Sequence, residues 1–168
     1  MKIKLLILTV ALLLGFQNIF AQTEKDTLSI RNEVSKINKN LRKYTKKTKD
    51  VADISVEGTQ ATYYSSGRGL LKITAKMYGE TYNAAGEFYY QGEELIFAYV
   101  KLNKYDTQIG LKKPVKVVKI EEKRLYFAGG NLIKLLIGKR QIKSTDERFE
   151  ESRKETVGIA ETLKAAYN

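Results

Sequence analysis

The 168-residue chain contains neither cysteine nor histidine. The commonest catalytic base, nucleophile and metal ligands are therefore missing together, which excludes a Ser-His-Asp triad, a thiol enzyme and a zinc site with His or Cys ligands. Disulfides are excluded as well, and so is a lipid carried on an N-terminal cysteine. A folded domain of this sequence must rest on its hydrophobic core. Proline is nearly absent: Pro114 is the only one, and no Gly/Ser-rich or Pro-rich stretch divides the chain. Beyond the first segment, no stretch is apolar for the roughly 20 residues that a membrane span needs.

That first segment has the pattern of an export signal. Met1-Lys2-Ile3-Lys4 gives a positive start, Leu5 to Phe16 an apolar run, and Ala21 a small residue where a signal peptidase would cut. The run is too short for an anchor and is broken by Gln17 and Asn18. The reading is a signal over 1–21 and a single mature domain over 22–168, periplasmic or secreted, with no transmembrane span after cleavage. Two of the 30 basic residues leave with the signal, so 28 face 19 acidic ones and the net charge is +9. Such a balance favours anionic partners, namely acidic glycans, lipid head groups or acidic proteins. Export argues against nucleic acid.

Two helices are predicted to flank a sheet. Ile30, Val34, Ile37, Leu41 and Tyr44 recur at alternating spacings of four and three, which puts them on one helical stripe. Lys36, Lys39, Lys43, Lys46 and Lys47 fall nearly opposite. From Thr59 to Ile137 the apolar period changes to two, as in Leu71-Ile73-Ala75-Met77, Ile96-Ala98-Val100-Leu102 and Ile133-Leu135-Ile137. Glycines mark the reversals at Gly67 and Gly69, Gly79 to Gly86, Gly92 and Gly129-Gly130. The long segment Lys116 to Phe127 is expected to hide a bend or bulge, because its alternation slips around Glu121-Glu122. Ser144-Thr145-Asp146-Glu147 reads as a capping box, and Phe149, Thr156, Ala160, Leu163 and Tyr167 follow as an apolar stripe. The expected fold class is α+β: an N-terminal helix, an antiparallel meander of six to eight strands and a C-terminal helix, with both helices on one sheet face.

Three segments share one plan: an aromatic pair, a glycine-bearing turn and a leucine that begins the returning strand. They are Tyr63-Tyr64 to Leu70, Tyr89-Tyr90 to Leu95, and Tyr126-Phe127 to Leu132. This plan resembles the hairpin units of MORN-like and YwqK-type repeat proteins. The resemblance covers about a third of the mature chain and implies an interaction role without catalysis.

The remaining chemistry points the same way. Glu121 and Glu122 are neighbours on a strand and point to opposite faces, so they cannot flank one scissile bond. Glu93-Glu94 belongs to an exposed turn. A Ser–Lys dyad of Ser65 or Ser66 with Lys72 is chemically conceivable, but a polar turn explains the serines. Gly67-Arg68-Gly69 leads into a strand and supplies no helix N-terminus for phosphate.

Two surfaces remain as candidates. The first is the non-core face of the sheet, carrying Lys72, Lys76, Tyr78, Tyr89, Phe97, Tyr99, Lys101 and Lys134, where aromatic rings and ammonium groups would meet a protein or an anionic glycan. Ordinary cross-strand pairing accounts for the same residues. The second is the basic helix with Lys36, Lys39, Lys43, Lys46 and Lys47, which would attach the domain to the envelope or to a partner. Solvation of a helix face accounts for it equally. The expected function is therefore binding at the cell envelope or exterior, with no cofactor and no metal. Structural attachment is the second reading and an unrecognised hydrolase the third.

Overall fold

The computed structural model describes residues 22–67, 69–111 and 114–167, so the expected export signal lies outside the described residues. Helix α1 covers residues 22–39 and runs into a 3-10 turn at Leu41–Lys43. Eight strands follow: β1 (Thr45–Val51), β2 (Thr59–Ser66), β3 (Gly69–Gly79), β4 (Tyr82–Gln91), β5 (Glu94–Tyr105), β6 (Val117–Ala128), β7 (Asn131–Ile137) and β8 (Arg140–Ile142). Helix α2, Glu147–Ala165, ends the described fold. The sheet order is the chain order, and every neighbouring pair is antiparallel. The expected helix, meander and helix of an α+β protein are all present. No helix among the described residues is long and apolar enough to cross a membrane.

The two helices do not share a sheet face, contrary to expectation. Ala61, Tyr63, Ile73, Phe88, Tyr90, Ala98, Leu125, Phe127 and Leu135 form one core with Ala160 and Leu163 of α2. Tyr89, Ile96 and Tyr126 form a second core with Ile30 and Ile37 of α1. Neighbours such as Phe88, Tyr89 and Tyr90 point alternately up and down, so the sheet is buried on both sides. A sheet whose two faces both carry large apolar groups needs a cover on each.

Three bulges explain why simple alternation misassigned these faces. The register shifts between Tyr64 and Ser65, between Tyr89 and Tyr90, and between Tyr126 and Phe127. Each shift leaves one extra residue on the returning strand: Leu71, Ile96 and Ile133. An extra residue turns the strand by one position, so all three join the α1 core. Ile96 therefore faces α1, while Ala98 and Val100 face α2. The three segments with a shared sequence plan thus share one geometry, a bulged hairpin, and all three lie at the same end of the sheet. Gly92, with φ 61°, occupies the turn of the middle one. Gly86, expected at a reversal, lies inside β4 instead.

Helix α1 crosses the strands rather than following them. Glu24 bonds Lys134 of β7, Arg31 meets Tyr126 of β6, and Asn38 bonds Lys72 of β3. From Glu24 to Asn38 the helix rises roughly 21 Å at about 1.5 Å per residue. From β7 to β3 the sheet spans roughly 19 Å at about 4.8 Å per strand. The match makes the crossing nearly perpendicular.

Two local expectations need correction. Lys46 and Lys47 are not helical: the helix stops at residue 39 and both lie on edge strand β1, while Lys43 sits in the 3-10 turn. Leu41 and Tyr44 still reach the α1 core, because the 3-10 turn continues the same face. At α2 the N-cap is Asp146, whose carboxylate accepts from the Arg148 N–H at 3.1 Å; Ser144 lies outside the helix. The bulge expected within Lys116 to Phe127 is present: the β5–β6 register shifts between Lys104 and Tyr105 and leaves Val118 as the extra residue of β6, while Glu121 and Glu122 themselves pair in register with Leu102 and Lys101. The slip in polarity there comes from charge on both faces, with Glu121 near Lys119 and Lys123, and Glu122 near Arg124.

Candidate binding face

Antiparallel register sorts the α1 side of the sheet into rows that run across the strands. One row reads Lys46, Tyr64, Lys72, Tyr89, Phe97, Tyr126 and Lys134, one residue from each of β1 to β7. Five of the predicted site residues fall in this single row: Lys46, Lys72, Tyr89, Phe97 and Lys134. Helix α1 lies over most of it. Tyr89 is 1% exposed, Lys72 4% and Lys134 7%. These residues fasten the helix and are not open to a partner.

Their charges are satisfied internally. The Lys134 ammonium donates to Glu24 of α1 at 2.7 Å. The Lys72 ammonium donates to Glu87 and to Asn38 Oδ1, both at 2.9 Å, and stands over the Tyr89 ring at 4.6 Å. Burial alone would raise the Glu87 carboxyl, but hydrogen bonds from Tyr89 and Lys72 outweigh it and hold the group below its ordinary range. Burial and the Glu87 carboxylate push the Tyr89 phenol well above its ordinary value. With Lys72 committed in this way, a Ser–Lys dyad with Ser65 or Ser66 gains no support.

The next rows toward the opposite end of the sheet are uncovered. One reads Thr48, Thr62, Thr74, Glu87, Tyr99, Arg124 and Leu136. The next holds Asp50, Gln60, Lys76, Ala85, Lys101 and Glu122, and the last Tyr78, Asn83, Asn103 and Ile120. Lys76, Tyr78 and Ala85 are exposed, and Tyr99 and Lys101 half-buried. Of the predicted sheet-face residues, Lys76, Tyr78, Tyr99 and Lys101 thus remain accessible. The Arg124 guanidinium stacks over Tyr99 at 5.4 Å and bonds Glu122 at 3.1 Å. Burial, followed by a hydrogen bond to Glu122, raises the Tyr99 phenol.

Where α1 meets this uncovered field, a groove of about 520 Å³ opens between the helix and the sheet. Phe97 and Tyr126 form its floor; Arg31, Ser35 and Asn38 form its wall, with Lys39 at the rim. The sequence reading missed Arg31, Ser35 and Asn38. Their spacing of four and then three places them on one flank of α1, beside the apolar stripe, which was the available signal. Arg31 lies 5.6 Å over the Tyr126 ring and its Nε donates to the Tyr126 hydroxyl at 3.4 Å; that hydrogen bond is the main reason its guanidinium is held above its ordinary value. Among the described residues, Lys39, Lys76 and Lys101 form no ion pair.

The basic stretch as a whole is divided among three elements. Lys36 is exposed on α1 and paired with Glu33 at 3.2 Å. Lys43, Lys46 and Lys47 are exposed. The neighbouring Lys49 donates to the Ala166 carbonyl at 2.6 Å, closing the C-terminal end of α2. Acidic pairs suited to bond cleavage do not emerge: Glu93 bonds Lys164 at 2.6 Å, and Glu121 and Glu122 stand on opposite faces. No group of His, Cys, Asp or Glu among the described residues is placed to hold a metal ion. Comparison with protein-family models, with curated proteins and with solved structures found no match.

Proposed function

We propose that the domain is a binding module which takes an anionic glycan chain across the uncovered half of the α1 side. The observation that carries this reading is the set of unpaired cations Lys39, Lys76 and Lys101, joined by Arg31, around a floor of aromatic rings. Phe97 and Tyr78 offer faces on which sugar rings stack, Tyr99 being already stacked by Arg124, and the cations meet carboxylate or sulfate groups. Of the carboxylates on this face, Glu87 is held by Lys72 and Glu122 by Arg124, while Asp50 stands exposed at the β1 end of the Lys76 row, separated from Lys76 by Gln60. Export through the first 21 residues would place the module at the envelope or outside, where such polymers occur.

The test is titration of the protein, from residue 22 on, with an oligogalacturonate, beside two variants of equal charge change. Lys76→Glu with Lys101→Glu is expected to lose binding. Lys46→Glu with Lys47→Glu, on the edge strand, is expected to keep it. Equal loss in both would reduce the interaction to net charge and overturn the reading. An acidic peptide bound in place of the sugar would overturn the choice of ligand.

A further inference from the structure

The other sheet face carries a cavity that the binding face does not use. Beside α2, Met77, Ala84 and Leu102 stand in one cross-strand row, with Val100 in the row next to it. Ala75 and Gly86 take the neighbouring positions, and the Phe88 ring and the Met77 methyl pack over Gly86, where a Cβ would stand 2.7 Å from Phe88 Cε2. Ile54 closes one side and Ile159 of α2 the other, around a hollow of about 320 Å³. Tyr82 forms the end wall, its ring lying flat across Gly79, where a Cβ would stand 2.2 Å from Tyr82 Cε1. Any other residue at 79 would displace that wall.

The rim is charged, and its charges are unequal in commitment. The Lys123 ammonium is neutralised by Glu155 at 2.8 Å and Glu121 at 3.8 Å, and Glu121 is held further by Lys119 at 2.9 Å. Lys104 stands at the same mouth, exposed, with no ion pair among the described residues. Lys104 acts on Glu121 across the rim without forming an ion pair with it, and an apolar hollow with such a cation at its mouth fits an apolar body with an anionic end. The volume lies at the small end of the roughly 300–1,000 Å³ common for ligand pockets.

We propose that this hollow binds a straight-chain carboxylic acid of medium length, its chain over Met77, Ala84, Val100 and Leu102 and its carboxylate on Lys104. The site is independent of the glycan face, since the two lie on opposite sides of the sheet. Titration calorimetry with hexanoate, octanoate and decanoate tests it. Affinity is expected to rise about fourfold per added methylene, the value of burying one CH₂. Lys104→Gln is expected to weaken decanoate while leaving decanol unchanged. Ala84→Phe fills the floor and is expected to abolish binding with the melting transition retained; Ile54→Trp, on the loop wall, blocks the same space should Ala84→Phe fail to fold. Absence of decanoate binding, binding untouched by a folded filling variant, or a Lys104→Gln effect equal for acid and alcohol would each overturn the assignment.

Discussion

Lys72 and Glu87 stand diagonally on β3 and β4, with the ammonium 2.9 Å from the carboxylate and only 5% of the Lys72 side chain exposed. The same carboxylate accepts from the Tyr89 hydroxyl, and Asn38 of α1 accepts from Lys72 at 2.9 Å. One ion pair thus joins the sheet to the helix that covers it. Glu87→Gln would leave a buried ammonium facing only neutral acceptors. A fully buried pair broken in this way costs about 3–5 kcal/mol. Because Glu87 is 39% exposed, water recovers part of that, and we expect about 2 kcal/mol. Urea titration measures the loss, and Lys72→Met added to Glu87→Gln is expected to recover part of it.

The bulged hairpins make a second prediction. Ile96 is 7% exposed and lies with Tyr89 and Tyr126 beneath α1. Ile96→Ala is expected to cost about 3 kcal/mol, within the range for a large core residue cut to alanine. Hydrogen exchange distinguishes its locality. Amides near Ile37 should lose protection at lower free energy, while those near Leu163, in the other core, should change only with global stability.

The helix stripes and the central strands were legible because one periodicity fits each. What escaped has particular physical causes. Strand β1 reads Thr-Lys-Lys-Thr-Lys-Asp before Val51, and only Val51 is buried; an edge strand with little apolar alternation looks like a charged helix end. The faces were assigned from strict alternation, which a bulge at Leu71, Ile96 or Ile133 breaks without any change in composition. Lys72 and Lys134 looked like surface residues because burying them needs Glu87, Asn38 and Glu24, contributed from other elements. That Lys76, Tyr78, Tyr99 and Lys101 share one accessible sheet face was legible because no bulge intervenes along those stretches.

Gly158 gives a prediction of opposite sign. It lies in the interior of α2, is exposed, and a Cβ there meets nothing within 4 Å. Nothing in the packing requires glycine. Gly158→Ala is expected to stabilise the domain by about 1 kcal/mol through helix propensity, raising the melting midpoint by about 2–4 °C for a chain of this size. A drop in the midpoint would mean that glycine is needed there for a contact outside the described fold.

The pH profile follows from what titrates. Glu24, Glu87, Glu121 and Glu150 are held below their ordinary values by cationic partners, and hydrogen bonds from Arg148 lower Asp146 to about 2. A carboxyl whose folded pKa is depressed adds stability that is present above its unfolded pKa and lost as pH falls through the folded one. Stability should therefore decline below about pH 4.5 and continue to fall toward pH 2. The Tyr63, Tyr89 and Tyr90 phenols are raised, chiefly by burial. Their contribution is complete below about pH 10 and is lost as the solution becomes more alkaline. With no histidine in the chain, the curve between about pH 5 and 9 should be flat. Denaturation midpoints across pH 2–11 check both limbs, and a step near pH 6.5 would contradict the assignment.

Lys46 and Lys47 supply the last prediction, because their place on β1 gives them a role that a helix would not. Among the described residues, strand β1 is the open edge of the sheet and pairs with β2 alone. An open edge offers unpaired N–H and C=O groups to any other strand, and lysines on such an edge oppose that pairing through charge and hydration. Strand β8, at the other edge, is only three residues long and offers little to pair with. The protection of β1 therefore falls to its lysines. Lys46→Val with Lys47→Val is expected to leave unfolding of the monomer within about 0.5 kcal/mol, as for exposed surface positions, yet to produce concentration-dependent association visible by sedimentation and light scattering. The proposed glycan binding through Lys76 and Lys101 should persist in whatever monomer remains. If the double variant stays monomeric, edge protection is not the function of these lysines, and attachment to an anionic surface through the edge becomes the better account of the basic stretch.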